Sequence, residues 1–240
     1  MLPRVLEPET LDHLAADDPA AQRSRRDLRR VNRAMGARAI LVRALGRVLP
    51  TRQRASIRIL EIGCGDGMLL LDVARRGGIA WGPSVELTLL DRQSLVSTAT
   101  LAAYADVGWH AEPRNADVLD WAGDPHDPTR WDVVVANLFL HHFDGAALAA
   151  LLAGCSRRAD ALVACEPRRS RFALGASHLV AFLGANAVTR RDAVLSVRAG
   201  FVGRELSDAW PADAGPWRLD EYDDGLFTHC FCAARMGARK

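Results

Sequence analysis

Three glycines at alternate positions follow a short apolar run in the segment Ile59-Leu60-Glu61-Ile62-Gly63-Cys64-Gly65-Asp66-Gly67. Glycine lets a turn adopt unusual backbone angles and lets a ligand approach the main chain closely. The acid at Glu61 would repel a pyrophosphate, and the third glycine lies one residue too early for the G-x-G-x-x-G spacing of dinucleotide sites. The motif therefore predicts a binding site for a zwitterionic ligand rather than a polyphosphate.

Two further acids follow later apolar runs. Asp91 ends the segment Leu87-Thr88-Leu89-Leu90-Asp91, and Asp117 lies in Asn115-Ala116-Asp117-Val118. Each acid has an alternative interpretation as an ordinary helix N-cap. The sequence leaves both interpretations open.

Two adjacent histidines, His141 and His142, follow the apolar run that ends at Leu140. Histidine titrates near neutral pH, so either ring could act as a general base. The alternative is a structural role, in which a ring packs against the following helix or caps it at Asp144. These two residues are the candidate catalytic residues.

The elements that must position these residues alternate between short apolar runs and longer helical stretches, which is typical of a parallel sheet with helical crossovers. Strands are predicted at about 57–62, 86–91, 109–113, 131–137 and 160–166. The end of the chain predicts two more strands, 217–222 and 226–233, around a turn at 223–225. We therefore expect an α/β fold with a doubly wound, mostly parallel seven-stranded sheet, helices on both faces and an antiparallel C-terminal strand.

The helical stretches define the predicted organisation. Residues 1–54 are expected to form an N-terminal helical cap that ends at Pro50, and residues 55–240 one domain with an insertion at about 168–200. Inside this insertion a helix is predicted from a capping box at Thr189 and Asp192 to a left-handed C-cap at Gly200.

Composition narrows the class of protein. Residues 1–58 contain 13 arginines and 6 acids, although the net charge of the whole chain is only +2. The acids are interspersed and aromatic platforms are missing there, so a solvated helix face is favoured and nucleic acid is not an expected partner.

The five cysteines lack C-x-x-C spacing, which disfavours a disulfide framework or a structural zinc. No apolar run is long enough to span a bilayer, and Met1–Thr10 lacks the basic and then apolar pattern of a secretory signal peptide, so a cytoplasmic protein is expected. We expect it to be a monomer or a homodimer.

The glycine segment resembles the first motif of class I, Rossmann-like S-adenosylmethionine-dependent methyltransferases. The resemblance covers about residues 57–166 and implies S-adenosylmethionine as cofactor and S-adenosylhomocysteine as product. It implies that Glu61 and the glycines hold the amino-acid part, that Asp91 accepts hydrogen bonds from the ribose, and that Asp117 meets the adenine. The cofactor-binding residues implied in this way are Glu61, Gly63, Gly65, Gly67, Asp91, Arg92, Asp117, Val118, Asn137 and Leu138.

Outside that region the match is to the small-molecule and quinone-biosynthesis subgroup. The Leu140-His141-His142 element is similar to one that lies beside the cofactor there. The run Asp27–Gly36 loosely resembles an Asn-containing helix that covers the cofactor, although it lacks the usual tyrosine. The resemblance implies acceptor contacts from Arg29, Asn32, Arg168 and His178. No magnesium-binding set of Asp and Asn residues is evident, so no metal is expected.

The resulting hypothesis is methyl transfer to oxygen, or secondarily carbon, of a small or lipidic hydroxylated acceptor such as a phenol, polyketide or quinone. One alternative is an N-methyltransferase that acts on a small amine, RNA or protein. Another is an NAD-linked oxidoreductase, which the glycine spacing disfavours. A non-enzymatic scaffold that retains the cofactor fold is the last alternative.

Overall fold

A computed structural model describes residues 2–49, 56–76, 81 and 84–237. Its centre is a seven-stranded sheet in the order β3-β2-β1-β4-β5-β7-β6. The strands are β1 (Ile57–Ile62), β2 (Val85–Asp91), β3 (Trp109–Asn115), β4 (Val133–Asn137), β5 (Ala161–Pro167), β6 (Trp217–Asp224) and β7 (Thr228–Arg235). Strands β1 to β5 pair in parallel, and β7 pairs antiparallel with both β5 and β6. The predicted fold class is confirmed.

The central strands are apolar on both faces because both faces are covered. Ile59 and Val135 point into one apolar cluster, whereas Leu60 and Val134 point into the other. Successive side chains of a strand alternate between faces, so a continuous apolar run fits a sheet with helices on each side.

Three helices precede the sheet, namely α1 (Thr10–His13), α2 (Pro19–Ala34) and α3 (Ala37–Val48). Pro50 and the predicted boundary at 54/55 lie outside the described residues. The helices between and after the strands are α4 (Met68–Arg76), α5 (Thr98–Ala105), α6 (Val118–Gly123), α7 (Gly145–Arg158), α8 (Arg171–Ser177), α9 (Ala187–Ala199) and α10 (Glu205–Asp208). Short 3-10 turns cover Leu140–His142 and His178–Leu183.

The segment predicted as an insertion packs its helix α9 against the N-terminal helices. The hydroxyl oxygens of Ser24 and Thr189 lie 2.7 Å apart, and the carboxylate of Asp27 accepts the Asn186 backbone N–H at 2.8 Å. The Asp192 carboxylate accepts the backbone N–H groups of Thr10 and Leu11, both at 2.9 Å. It thereby satisfies the free amides at the start of α1.

Helix α9 ends at its predicted C-cap, Gly200, but its start and the conformation of Gly200 differ from those predicted. The helix begins at Ala187, because the side chain of Asn186 caps it by accepting the Thr189 N–H at 2.8 Å. Gly200 is not left-handed, since its φ is −62° and its ψ is −179°. Glycine is needed there for space, because a Cβ atom would collide with the carbonyl oxygen of Pro167.

Strand boundaries also differ from those predicted. The final turn lies between Asp224 and Thr228, around Gly225 with φ +73°, so both strands of the hairpin extend further along the chain than expected. Strand β4 begins at Val133, and Trp131 only forms an isolated bridge with Ala159. The five cysteines are buried and unpaired. Within the described ranges no helix is long and apolar enough to cross a membrane.

Gly200→Ala is expected to destabilise the fold by about 1–3 kcal/mol, because the added methyl group must displace the backbone at the end of β5. The matched control is Gly175→Ala in α8, where a Cβ atom meets nothing within 4 Å. Urea unfolding monitored by circular dichroism measures both changes. Equal stability of the two variants would contradict the close contact.

Candidate active site

The carboxyl ends of β1, β2 and β4 open into a pocket of about 790 Å³. The strand order reverses beside β1, and open α/β sheets bind ligands in the crevice at such a switch point. Nine of the ten predicted cofactor residues line this pocket, namely Glu61, Gly63, Gly65, Asp91, Arg92, Asp117, Val118, Asn137 and Leu138.

The glycine turn between β1 and α4 has the conformation that its composition requires. Gly63, Gly65 and Gly67 have φ values of +65°, +55° and +70°, which side-chain-bearing residues rarely adopt. Gly67 does not line the pocket. It lies against Leu89, and its carbonyl accepts a 2.7 Å hydrogen bond from the Tyr104 hydroxyl, so it shapes the turn from behind.

Two buried acceptor atoms that border the pocket, Glu61 Oε2 and Asn32 Oδ1, have no hydrogen-bond partner among the residues that the structure describes. Burial, together with the charges of Asp66 and Asp91, raises the pKa of Glu61 to about 8. Both residues line the pocket. A ligand that brings N–H donors or positive charge would satisfy these atoms, whereas a phosphate would not.

The two acids at the ends of the second and third strands differ in their contacts. Asp91 accepts the backbone N–H groups of Gly65 and Gln93, each at 2.8 Å, so it ties β2 to the glycine turn. Asp117 caps α6 by accepting the Leu119 N–H at 2.7 Å. The N-cap interpretation therefore describes Asp117, and both carboxylates still border the pocket.

The chain leaves β4 in a constrained path across the end of β5. Leu138 has a positive φ of 51°, and Phe139 packs over Gly63 so closely that a Cβ atom there would overlap its ring. The side chain of Glu166, which has no exposed surface, accepts the N–H groups of Phe139 at 3.1 Å and Leu140 at 2.9 Å. This carboxylate fixes the path that brings the two histidines to the pocket.

His141 is a buried ring between two carboxylates. Its Nδ1 lies 2.8 Å from Glu166 Oε2 and its Nε2 lies 3.3 Å from Glu9 Oε1. Burial acts to lower the pKa of His141, but the hydrogen bonds to Glu166 and Glu9 outweigh it and raise the pKa to about 9. In this arrangement both ring nitrogens of His141 are protonated at neutral pH, and the ring is positively charged.

His142 is less enclosed. Its side chain is 23% exposed, and its Nδ1 lies 3.3 Å from Asp12 Oδ2. Burial and the neighbouring charge of His141 lower its pKa, so the two adjacent rings differ in charge near neutrality. The ring centroids lie 4.3 Å apart, and both residues line the pocket.

The four predicted acceptor residues divide into two pairs. Arg29 and Asn32 line the pocket, and Arg29 also forms a 2.5 Å ion pair with Asp66. Arg168 and His178 are not among the lining residues: Arg168 pairs with Asp223 at 2.9 Å, and His178 is exposed. The structure does not bring this second pair to the site.

Sequence reasoning missed three carboxylates that contact the histidines, Glu9, Asp12 and Glu166. Glu166 does lie at the end of a predicted strand, which was an available signal. Nothing in the sequence pattern singles out Glu9, because it meets His141 only through a contact across 132 positions of the chain.

The match to known proteins covers the central part of the chain and the overall fold. Residues 60–161 match the family model described as a methyltransferase domain. The plantazolicin methyltransferase BpumL, solved in complex with SAH, superposes with a TM-score of 0.59 at 12% identity and covers 92% of each chain. No curated protein sequence matches the chain.

Two longer proteins share the fold as well. An O-methyltransferase family protein from Burkholderia thailandensis gives a TM-score of 0.61 at 16% identity, over 93% of this chain and 62% of that one. The pyocyanin biosynthetic protein PhzM gives 0.56 at 20% identity, over 92% of this chain and 60% of that one. The chain thus spans about three fifths of their length, and the likeness confirms the fold alone.

Glu166→Ala is expected to cost about 3–5 kcal/mol of stability, because it leaves a buried imidazole and the backbone N–H groups of Phe139, Leu140 and His141 without their acceptor. The control is Glu86→Ala, which removes a surface ion pair with Arg58 and should cost less than about 1 kcal/mol. Urea unfolding at neutral pH compares the two variants. Losses of similar size would show that the Glu166 contacts do not organise the site.

Proposed function

We propose that this chain, which carries a methyltransferase domain with the class I fold, transfers a methyl group from S-adenosylmethionine to a small hydroxylated acceptor. The main support for this proposal is a pair of buried acceptor atoms that border the pocket, Glu61 Oε2 and Asn32 Oδ1, which have no hydrogen-bond partner among the described residues. S-adenosylmethionine presents an ammonium group and a sulfonium, and supplies an electrophilic methyl group.

The residues present fit that cofactor along the whole pocket. Glu61 and Asn32 offer acceptors for the ammonium, and Asp91 offers a carboxylate at the neighbouring strand end for the ribose hydroxyls. Asp117 and Val118 border the remaining part, where the adenine would lie. A pyrophosphate brings neither an N–H donor nor a positive charge to Glu61 Oε2 and Asn32 Oδ1, which counts against the NAD-linked alternative.

The choice of an oxygen acceptor rests on the two histidines beyond the exit of β4. Methyl transfer from a sulfonium is an in-line displacement, so alignment supplies much of the rate, and a base is needed only where the acceptor loses a proton. Two imidazoles at this end of the pocket supply such a base. His142 is our candidate because one carboxylate engages it, whereas His141 is held by carboxylates at both nitrogens.

An amine acceptor is the second candidate, since Glu7, Glu9 and Asp12 line the same end of the pocket and would attract an ammonium. An RNA acceptor has less support. Of the three arginines of α2 that line the pocket, two are engaged within the protein, Arg29 with Asp66 and Arg25 with Gln93 and the Ala16 carbonyl.

The first test is binding of S-adenosylhomocysteine, measured by titration calorimetry. Asp91→Ala should raise the dissociation constant at least tenfold, because charge-assisted hydrogen bonds of about 1.5–3 kcal/mol each are lost. Asp213→Ala, in an exposed loop, is the control and should bind as the wild type does. Absence of binding at millimolar ligand would remove the proposal.

Glu61 should couple cofactor binding to a proton. In the free protein Glu61 is protonated below about pH 8. The ammonium group of a bound ligand favours the ionised carboxylate, so ligand binding releases the proton of Glu61. The affinity for S-adenosylhomocysteine should therefore rise by nearly tenfold from about pH 6 to about pH 7, a range in which the ligand stays protonated. Glu61→Gln should abolish this slope, and a slope that survives the substitution would contradict the assignment.

The acceptor class is tested with matched aromatic compounds that differ only in carrying a hydroxyl or an amine. Transfer of labelled methyl from S-adenosylmethionine is expected to the hydroxylated member of each pair. His142→Gln should lower that turnover by about 10² to 10⁴ while cofactor affinity is retained. Transfer to the amines alone would establish the second candidate instead.

A further inference from the structure

Three side chains with metal-ligating atoms converge at the histidine end of the pocket. One ligand atom from each of Glu9, His141 and His142 lies within 4.8 Å of the other two. The three residues come from the N-terminal segment and from the 3-10 turn after β4. All three line the pocket that contains the predicted cofactor residues.

The distance between Glu9 Oε1 and His141 Nε2 is within ion-pair range, but it is longer than a strong charge-assisted hydrogen bond and matches the separation of two ligands on a shared metal. Their atoms Oε1 and Nε2 are 3.3 Å apart. Charge-assisted hydrogen bonds between nitrogen and oxygen are usually about 2.7–2.9 Å long. Two ligands placed about 2.0–2.1 Å from a tetrahedral zinc ion lie about 3.3–3.4 Å from each other.

The contacts behind the histidines have the form that orients metal ligands. Glu166 lies 2.8 Å from Nδ1 of His141 and would keep a proton on that nitrogen, so a metal that displaced the Nε2 proton would meet a free Nε2 lone pair. Asp12 Oδ2 lies at an ion-pair distance of 3.3 Å from Nδ1 of His142. A carboxylate on the outer nitrogen of a ligating histidine fixes its tautomer and raises its basicity.

The local charge also favours a cation. Three carboxylates surround the two rings, and among the described residues no arginine forms an ion pair with Glu9, Asp12 or Glu166. The nearby Arg4 instead directs its donors to the carbonyls of Ala199 and Phe143, at 2.7 and 2.8 Å.

We propose that Glu9, His141 and His142 form a binding site for a divalent transition-metal ion of the zinc type, with a coordination position open to the acceptor. Two imidazoles and one carboxylate suit Zn²⁺, Co²⁺ or Fe²⁺, whereas Mg²⁺ and Ca²⁺ prefer oxygen ligands. Three protein ligands leave a fourth position free, and an oxygen bound there loses its proton more readily. A metal held there would lower the pKa of an acceptor hydroxyl bound at the open position, so that the hydroxyl would release its proton to bulk water before methyl transfer, and His142 would act as a ligand instead of as the base.

The metal site itself does not depend on the proposed methyl transfer, although its role towards the acceptor does. No sequence pattern predicts this metal site, because Glu9 lies in a segment remote from the two histidines. The site also differs from the Asp and Asn set whose absence had argued against magnesium.

Titration of Co²⁺ into the chelator-treated full chain tests the site by visible absorption. We expect saturation at one equivalent, with d–d bands of a nitrogen and oxygen environment and without a thiolate charge-transfer band. Glu9→Gln and His142→Gln should each weaken binding by at least about tenfold. His126→Gln, an exposed histidine elsewhere, is the control and should leave binding unchanged.

Three outcomes would overturn the proposal: no saturable binding by the wild type, a thiolate spectrum, or unchanged affinity in both ligand variants. The thermal midpoint and S-adenosylhomocysteine binding, measured on the same samples, show whether each variant is folded. A protein that binds Co²⁺ as expected but not S-adenosylhomocysteine would remove the proposed function and leave the metal site standing.

Discussion

The histidine end of the pocket depends on one buried charge, the carboxylate of Glu166. A carboxylate without exposed surface is tolerated only where hydrogen bonds and opposite charge compensate it. Here the compensation comes from the N–H groups of Phe139 and Leu140 and from the ring of His141. The chain that leaves β4 must therefore bend across the end of β5. This bend places Leu138 in a left-handed conformation and Phe139 over the glycine turn.

His141 also connects the Glu166 carboxylate to the N-terminal segment, because its second ring nitrogen contacts Glu9. Glu9 contacts the outer nitrogen of that ring and also accepts from the Ser196 hydroxyl of α9. Asp192 of α9 satisfies the first amides of α1, and Arg4 binds the carbonyl of Ala199 at the end of the same helix. Residues 4–11 and α9 are thus joined by polar contacts that satisfy backbone groups of both. Together they form the wall of the pocket opposite the sheet.

The sequence was sufficient for the sheet and for the cofactor end of the pocket because both depend on local patterns. A buried strand, a glycine turn and an acid at the next strand end are each visible within about ten residues. The errors concern contacts between distant segments. Gly200 is the predicted C-cap, but the close contact with Pro167 requires glycine there and not a left-handed conformation. Thr189 looked like a helix start, although Asn186 makes the N-cap. Arg168 was expected at the acceptor, but Asp223 of β6 engages it.

The two ends of the pocket are consequently built in different ways. The cofactor end consists of strand ends and their turns, so any chain that forms this sheet in this order places those residues together. The histidine end takes its residues from α1 and its flanking segment, from α9 and from the turn after β4, and only Glu166 belongs to the sheet. The short stretch from Asn137 to His142 is the junction, since it borders both ends. Substitutions in the N-terminal segment can therefore alter what binds beside the histidines without disturbing the glycine turn, because no sheet hydrogen bond depends on that segment.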